Sequence, residues 1–423
     1  MTTRICVALG CIMAAVTLFS ACSSDDDVAS TPVEYSKVFS FPYQGTTLYY
    51  VVDSVSQSAS LVPPLYPNYS TKDEEGKTTL WQGYDQPVGD VTVPRQVEYC
   101  GRRFPVTYVQ DGAFFHCRDL TGVTIPEGVT TIGRNAFDLC TSLTSVNLPE
   151  GLTTILKWAF VECTSLKEIT LPNTLKFIDR HCFELDEALT RITIPESVDT
   201  MGVDVFSYCH SLTEVNFLGK MKRLSDWAFY QCTSLATINL PQGLTAIGEG
   251  SFYECSSLEN IDIPSTVESV GDYALASCYK LNNVVFPDAM THLGVSAVEC
   301  CHSLTNCHLP AQMEYIDEAL FWDTPINNIT IPEGVTRIDS WAFDQCPQLK
   351  ELRLPAAVTE IADSVFTSGT KLDKLYMGAA VPPTIYTDTF EDFSAELIVP
   401  QGAAQAYRDH EFWGRFANIK EEE

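Results

Sequence analysis

The chain has 423 residues, more than one hydrophobic core sustains, since single cores stop growing near about 250–300 residues, so it requires either several domains or an elongated array. Its 26 Lys plus Arg stand against 55 Asp plus Glu, a formal charge of −29 that repels phosphates and anionic lipid headgroups, so nucleic acid is excluded as a partner. With 45% hydrophobic and 19% charged residues the chain carries enough apolar side chains to fold, which sets aside an acidic disordered polymer.

Residues 1–21 read as an export signal. Arg4 precedes an uncharged apolar run that ends in the small residues Ser20 and Ala21 before Cys22. The uncharged stretch from Ile5 to Cys22 spans 18 residues, long enough for a membrane anchor to compete, but Gly10, Ser20 and the small-residue end favour cleavage. Leu18-Phe19-Ser20-Ala21-Cys22 resembles a bacterial lipobox, with Phe19 where Leu is usual. That resemblance implies that Cys22 is lipidated and becomes the new N-terminus, so that the membrane is touched only through this lipid. Residues 22–37 form an acidic linker. Its Ser-Ser-Asp-Asp-Asp, 23–27, resembles the export tag that sends lipoproteins to the outer face of some Gram-negative anaerobes; a solvated spacer is the plainer alternative.

From 38 to 104 short alternating stretches, such as Thr47-Leu48-Tyr49-Tyr50-Val51-Val52-Asp53 and Val91-Thr92-Val93-Pro94, flank a Pro-rich, charged loop from Val62 to Lys77. Alternation broken by turn residues predicts a β-rich N-terminal cap.

Residues 105–400 repeat. Proline recurs at 126, 149, 172, 195, 241, 264, 287, 310, 332, 355 and 400, a period of 23, and an apolar address does so at Phe114, Phe137, Phe160, Phe183, Phe206, Phe229, Phe252, Leu275, Val298, Leu320, Phe343, Phe366 and Phe390, which makes thirteen units. In the second unit Phe137, Cys140, Leu143, Val146, Leu148, Leu152 and Ile155 are expected to point inward. The spacing of three over Phe137, Cys140 and Leu143 predicts a helical turn, while Val146 and Leu148 alternate around Asn147 as a strand that Pro149 ends. One such coil cannot bury its own apolar face. Stacked at about 4.8 Å per strand, thirteen close a continuous core about 60 Å long.

The pattern IGRNAFDLCTSLTSVNLPEGL, Ile132 to Leu152, resembles the BspA-like leucine-rich repeat. The resemblance implies an α/β, right-handed solenoid of about 13 coils on a secreted or surface-anchored bacterial protein, an adhesin or host-interaction module and not an enzyme. The pattern departs at Phe217-Leu218-Gly219-Lys220, which has no proline, and where Leu275, Val298 and Leu320 replace the phenylalanine.

Three residues after the phenylalanine address stand Cys117, Cys140, Cys163, Cys209, Cys232, Cys255, Cys278, Cys301 and Cys346, a column of nine. Neighbours about 5 Å apart but pointing in parallel suit a disulfide poorly, so the column is read as reduced, buried thiols packing as small hydrophobes. The cluster Cys300, Cys301, His302, Cys307 and His308 lacks a C-x-x-C knuckle, and the register sends Cys301 and Cys307 inward and His308 outward, so no metal site and no cofactor are expected. Neither a catalytic triad nor a nucleotide-binding loop is written in the sequence, and no catalytic residue is assigned.

Residues 401–423 are read as a helical C-terminal cap, with Ala404, Tyr407 and Phe412 covering the last coil. Two surfaces remain for a partner. Alternation turns Glu168, Arg191, Glu214, Glu351 and Arg353 outward on the strand side, the face expected to bind, and Trp158, Trp227, Tyr273 and Trp341 recur two residues before the phenylalanine address, where covering seams between coils is the preferred reading and stacking on a ligand the alternative. The expected function is binding of a host or microbial surface protein or glycan at the outer membrane surface. A glycan-capture or structural envelope component is the alternative; a glycan-active enzyme would need a carboxylate pair at about 5–9.5 Å that the sequence does not mark.

Overall fold

A computed structural model describes residues 37–66 and 80–422. The repeats wind into a solenoid of about 14 turns with a period of about 23 residues. Each coil has three sides. The first carries strands such as Ser145–Asn147, Thr237–Asn239 and Asn260–Asp262, which pair in parallel with the equivalent strand of the next coil, Val123 opposite Val146 and Ile238 opposite Ile261. Alternation explains them: Ile238 and Ile261 are buried while Thr237, Asn239, Asn260 and Asp262 face solvent. The recurrent proline then opens a turn, as in Leu152 N–H to Pro149 O at 3.2 Å and Leu175 N–H to Pro172 O at 3.1 Å.

After that turn each coil makes a second strand that alternation did not announce. Thr154–Ile155 pairs with Thr131–Ile132 on one side and Phe177–Ile178 on the other, again in parallel. These strands are two residues long, too short for a period of two to be seen in the sequence.

The third side is not the helical turn that the spacing of three suggested. Phe137 to Leu143 is a run of tight turns, Cys140 N–H to Phe137 O at 3.1 Å and Leu143 N–H to Cys140 O at 2.9 Å. Residues two before and two after the phenylalanine address take positive φ, among them Asn135 at 53° and Leu139 at 61°, and Trp158 at 60° and Glu162 at 57°. Each such residue costs about 1–2 kcal/mol of backbone strain and breaks any helix. In exchange the turns aim N–H groups at the next coil: Phe114 N to Ala136 O at 2.7 Å, Phe137 N to Ala159 O at 2.8 Å and Phe160 N to Cys182 O at 2.9 Å. The backbone polar groups of this side are thereby satisfied between coils.

Inside, the phenylalanines form a stack. Phe137 and Phe160 lie 4.9 Å apart with planes 3° from parallel, and Phe160 and Phe183 5.4 Å apart at 3°. In the coil after Val298 the column residue is Phe321 and not Leu320: Phe321 stacks on Phe343 at 5.5 Å and donates its N–H to Ala342 O as its counterparts do. The short 22-residue step therefore falls between 321 and 343, and only Leu275 and Val298 interrupt the rings.

Both ends add strands to the solenoid's own sides. Ser58–Val62 follows two antiparallel strands and pairs in parallel with Arg102–Val109, which leads into the second side, and Gly89–Thr92 joins the first side through Leu120–Thr124. At the C-terminal end a six-residue helix, Ala404–Asp409, and a 3-10 turn, Trp413–Arg415, are followed by the strand Asn418–Glu421, which extends the first side. Tyr407 and Trp413 are the plugs: both are fully buried, and they donate to Ala379 O at 2.7 Å and to Pro383 O at 2.8 Å. Phe412, expected as a covering residue, is half-buried beside them.

Candidate functional site

The cysteine column is a hydrogen-bond ladder. Each thiol from Cys140 onward donates to the carbonyl at the ring address of the preceding coil: Cys140 to Phe114 O at 3.1 Å, Cys232 to Phe206 O at 3.2 Å and Cys301 to Leu275 O at 3.2 Å. The nine thiols are free and buried, and burial pushes them up, Cys346 to about 12, so the nucleophilic thiolate is suppressed. The column is structural. Cys307 is likewise buried, and His308 stands outside on the first side with Nε2 2.8 Å from Asp288 Oδ1.

The outward charges of the first side fall into two separate groups. Glu168 Oε2 lies 3.7 Å from Arg191 Nε, Arg191 is in register with Glu214, and Glu214 accepts from Asn216 Nδ2 at 2.7 Å. Six coils further on, about 29 Å along the axis, Glu351 meets Lys374 at 3.6 Å, and Arg353 sits 3.6 Å above the Tyr376 ring and 3.7 Å from Glu422. These exposed groups are already paired with one another. Between the groups the ladder continues from Thr237 to Asp262 and from Asn283 to His308, then is reduced to the single bridge Asn306–Asn328 at the next coil, where two recesses of about 420 and 540 Å³ share Asn328, Thr330 and Glu333. The second also takes in Glu351 and Arg353.

The tryptophans occupy the turn side, each on a positive-φ residue: Trp158 at 60°, Trp227 at 56° and Trp341 at 59°. Trp158 lies apart, with Lys157 Nζ 4.2 Å from its ring centre and His181 stacked at 5.7 Å. His181 is raised above its ordinary range, first by its hydrogen bond to Glu184 at 3.0 Å. Trp227 belongs to a belt that the sequence did not reveal. Tyr208 meets Tyr230 at 5.0 Å, Tyr230 meets Trp227 at 5.4 Å and Tyr253 at 5.5 Å, and Tyr253 meets Tyr273 at 6.3 Å. Trp227 also covers Gly250, where a Cβ would fall 2.3 Å from its ring. The belt leads to a recess of about 370 Å³ lined by Tyr273, Glu299, Glu318, Trp322, Trp341 and Asp344. There Trp322 Nε1 donates to Asp344 Oδ2 at 3.1 Å, burial raises Glu299 above the usual carboxylate range, and Trp341 is 43% exposed, leaving a ring face for a ligand. Rings offering faces beside carboxylates that accept hydroxyl or N–H protons can hold a sugar or a polypeptide.

The BspA type leucine rich repeat region matches residues 107–235, 200–324 and 281–396, in six copies. The chain belongs to this family. Among solved structures, a leucine-rich repeat protein from Bacteroides ovatus is 25% identical with a TM-score of 0.66, covering 89% of this chain and 98% of its own. A leucine rich cell surface protein from Faecalibacterium prausnitzii is 26% identical with a TM-score of 0.54, covering 81% and 96%. A pneumococcal vaccine antigen, 15% identical with a TM-score of 0.53 and covering 91% and 99%, shares the fold. No curated protein matches the chain. BspA-type proteins are typically cell-surface proteins, and leucine-rich repeat proteins generally mediate protein interactions. Among the described residues no helix is long and apolar enough to cross a membrane. Cys22, the expected lipid anchor, and residues 1–21 lie outside the described residues.

Proposed function

We propose that this BspA-type protein is a lipid-anchored, non-catalytic binding module of the outer cell surface that holds a protein or glycan on another cell through its turn side. The observation that carries this reading is the continuous aromatic belt from Tyr208 to Tyr273 and the recess beyond it at Trp322 and Trp341. A rigid array presents such a face without ordering it at the moment of binding, and aromatic anchors dominate binding energy where they occur. The paired charges Glu168, Arg191, Glu214, Glu351 and Arg353 act here as rim, affecting encounter more than hold. On an array of glycans and extracellular matrix proteins, a captured target is expected to lose at least about tenfold in affinity with Trp227→Ala and Trp341→Ala combined. Reversing Glu168, Arg191 and Glu214 is expected to change the salt dependence of association far more than the off-rate. Should the tryptophan pair bind as the wild type does while Arg353→Ala or Glu351→Ala releases the target, the first-side recesses are the site; their volume and their break in the ladder favour that second reading.

The anchor rests on the lipobox-like residues and on the description of the Faecalibacterium relative as a cell surface protein. Radiolabelled fatty acid is expected to enter the wild-type chain and not Cys22→Ala, and the wild type is expected to lack residues 1–21. Equal labelling of both would remove the lipid from the proposal.

A further inference from the structure

We propose that Cys300, His302 and Asp323 form a site for a divalent transition metal of the Zn²⁺ class on the turn side. The sequence cluster around Cys300 divides in the structure. Cys301 and Cys307 go into the core and His308 to the first side, whereas Cys300, two residues after Val298 and at φ 55°, stays half-buried at the surface. His302 Nε2 lies 3.0 Å from Asp323 Oδ2, a residue of the next coil. The imidazole is held flat against Tyr279, ring centres 5.0 Å apart and planes 6° from parallel, so its direction is set by packing. The thiol sulfur, a ring nitrogen and a carboxylate oxygen all lie within 4.8 Å of one another, and among the described residues no other such group of three is found.

Thiolate, imidazole and carboxylate are the donor set of Zn²⁺, and bonds of about 2.3 Å to sulfur and 2.0–2.2 Å to nitrogen and oxygen put tetrahedral donors about 3.3–3.6 Å apart. The widest donor separation, up to 4.8 Å, must close by about 1.2–1.5 Å and the 3.0 Å His302–Asp323 pair open by a few tenths, through χ rotations of one exposed and two half-buried side chains. Three protein ligands leave the fourth position to solvent or to a donor from a bound partner. Cys300 binds as the thiolate and its proton leaves to water. The location also has a use. Leu275 and Val298 interrupt the phenylalanine stack here, and a metal bridging the Val298 and Phe321 coils ties two neighbours that share no ring contact.

The test uses the full chain under a phosphine reductant with Co²⁺ as the probe. The wild type and Cys100→Ser, which removes the exposed Cys100, are expected to take up one equivalent with a sulfur-to-cobalt charge-transfer band that Zn²⁺ abolishes. Cys300→Ser is expected to lose the band, and His302→Ala and Asp323→Asn to weaken uptake at least about tenfold. All three positions are solvent-accessible, and circular dichroism checks that the variants fold. No band in the wild type, a band that survives Cys300→Ser, or undiminished affinity in both His302→Ala and Asp323→Asn overturns the site.

Discussion

Phe229→Ala is expected to destabilise the protein by about 3–5 kcal/mol and to divide its unfolding into two steps. Phe229 is fully buried between Phe206 at 5.5 Å and Phe252 at 5.7 Å, with planes within 9° and 7°, and Phe217 meets its edge at 6.4 Å. Nothing exposed can fold inward to fill the space, because the coil spacing is held by hydrogen bonds between coils, including Phe206 N to Ala228 O at 3.0 Å and Phe229 N to Ser251 O at 2.9 Å. A solenoid's cooperativity passes only through nearest neighbours, so a cavity at one interface weakens the coupling of everything before it to everything after it. Phe229→Leu, by contrast, is expected to cost about 1–1.5 kcal/mol, since Leu275 already occupies the same address in another coil. Urea unfolding followed by circular dichroism, with limited proteolysis to locate the break, measures both. A loss below about 1 kcal/mol for the alanine variant, in the range of ordinary surface changes, would mean that the stack is not what joins the coils.

The repeat was legible because every inward address is filled by a residue type that serves only a core: Phe137, Cys140, Leu143 and Ile155 are all fully buried. The turn side was not legible, since a spacing of three fits a helix and a chain of tight turns equally, and the positive-φ positions carry Trp158, Glu162 and Leu185 in place of the glycines that normally announce them. The register at Phe321 escaped because Leu320 and Phe321 are adjacent, apolar and both buried. The aromatic belt escaped for a different reason. Tyr208 lies two residues after its phenylalanine, Tyr230 and Tyr253 one after, and Trp227 and Tyr273 two before the ring address, so the belt is spread over three offsets and no single column holds it, and only the projection of the turns brings the rings together. Among the charged residues, alternation placed Glu168, Arg191 and Glu214 on one surface as expected, but their mutual pairing depends on stacking register, which a single coil does not encode.

Asp186→Cys is expected to stabilise the protein at neutral pH, and by more as the pH rises. Asp186 holds the cysteine address in the coil of Phe183 and is fully buried. Its Oδ1 accepts the Cys163 N–H at 2.8 Å, and its Oδ2 has no partner among the described residues. Elsewhere in the column the side chain is a donor: Cys209 to Phe183 O at 3.1 Å, Cys163 to Phe137 O at 3.2 Å, and Thr370, the equivalent residue further on, to Phe343 O at 2.7 Å. Ionised, Asp186 would have no proton to give, and burial, opposed only by the Cys163 N–H, holds its carboxyl well above the usual carboxylate range. With the folded pKa raised, the unfolded chain releases its proton first, near about pH 4, so stability is fully present below that pH and falls by about 1.4 kcal/mol per unit until the folded group also ionises. Cysteine restores the donor and, with its own pKa pushed up, does not titrate in this window. The gap between Asp186→Cys and wild type should therefore widen as the pH rises above about 4, by at most about 1.4 kcal/mol per unit, until Asp186 ionises in the folded chain as well. Asp186→Asn, uncharged and of the same shape, should show the same pH trend from a different offset, which separates removal of the ionisable group from gain of the thiol. Parallel pH profiles for all three proteins would show that the carboxyl is not held neutral in the column.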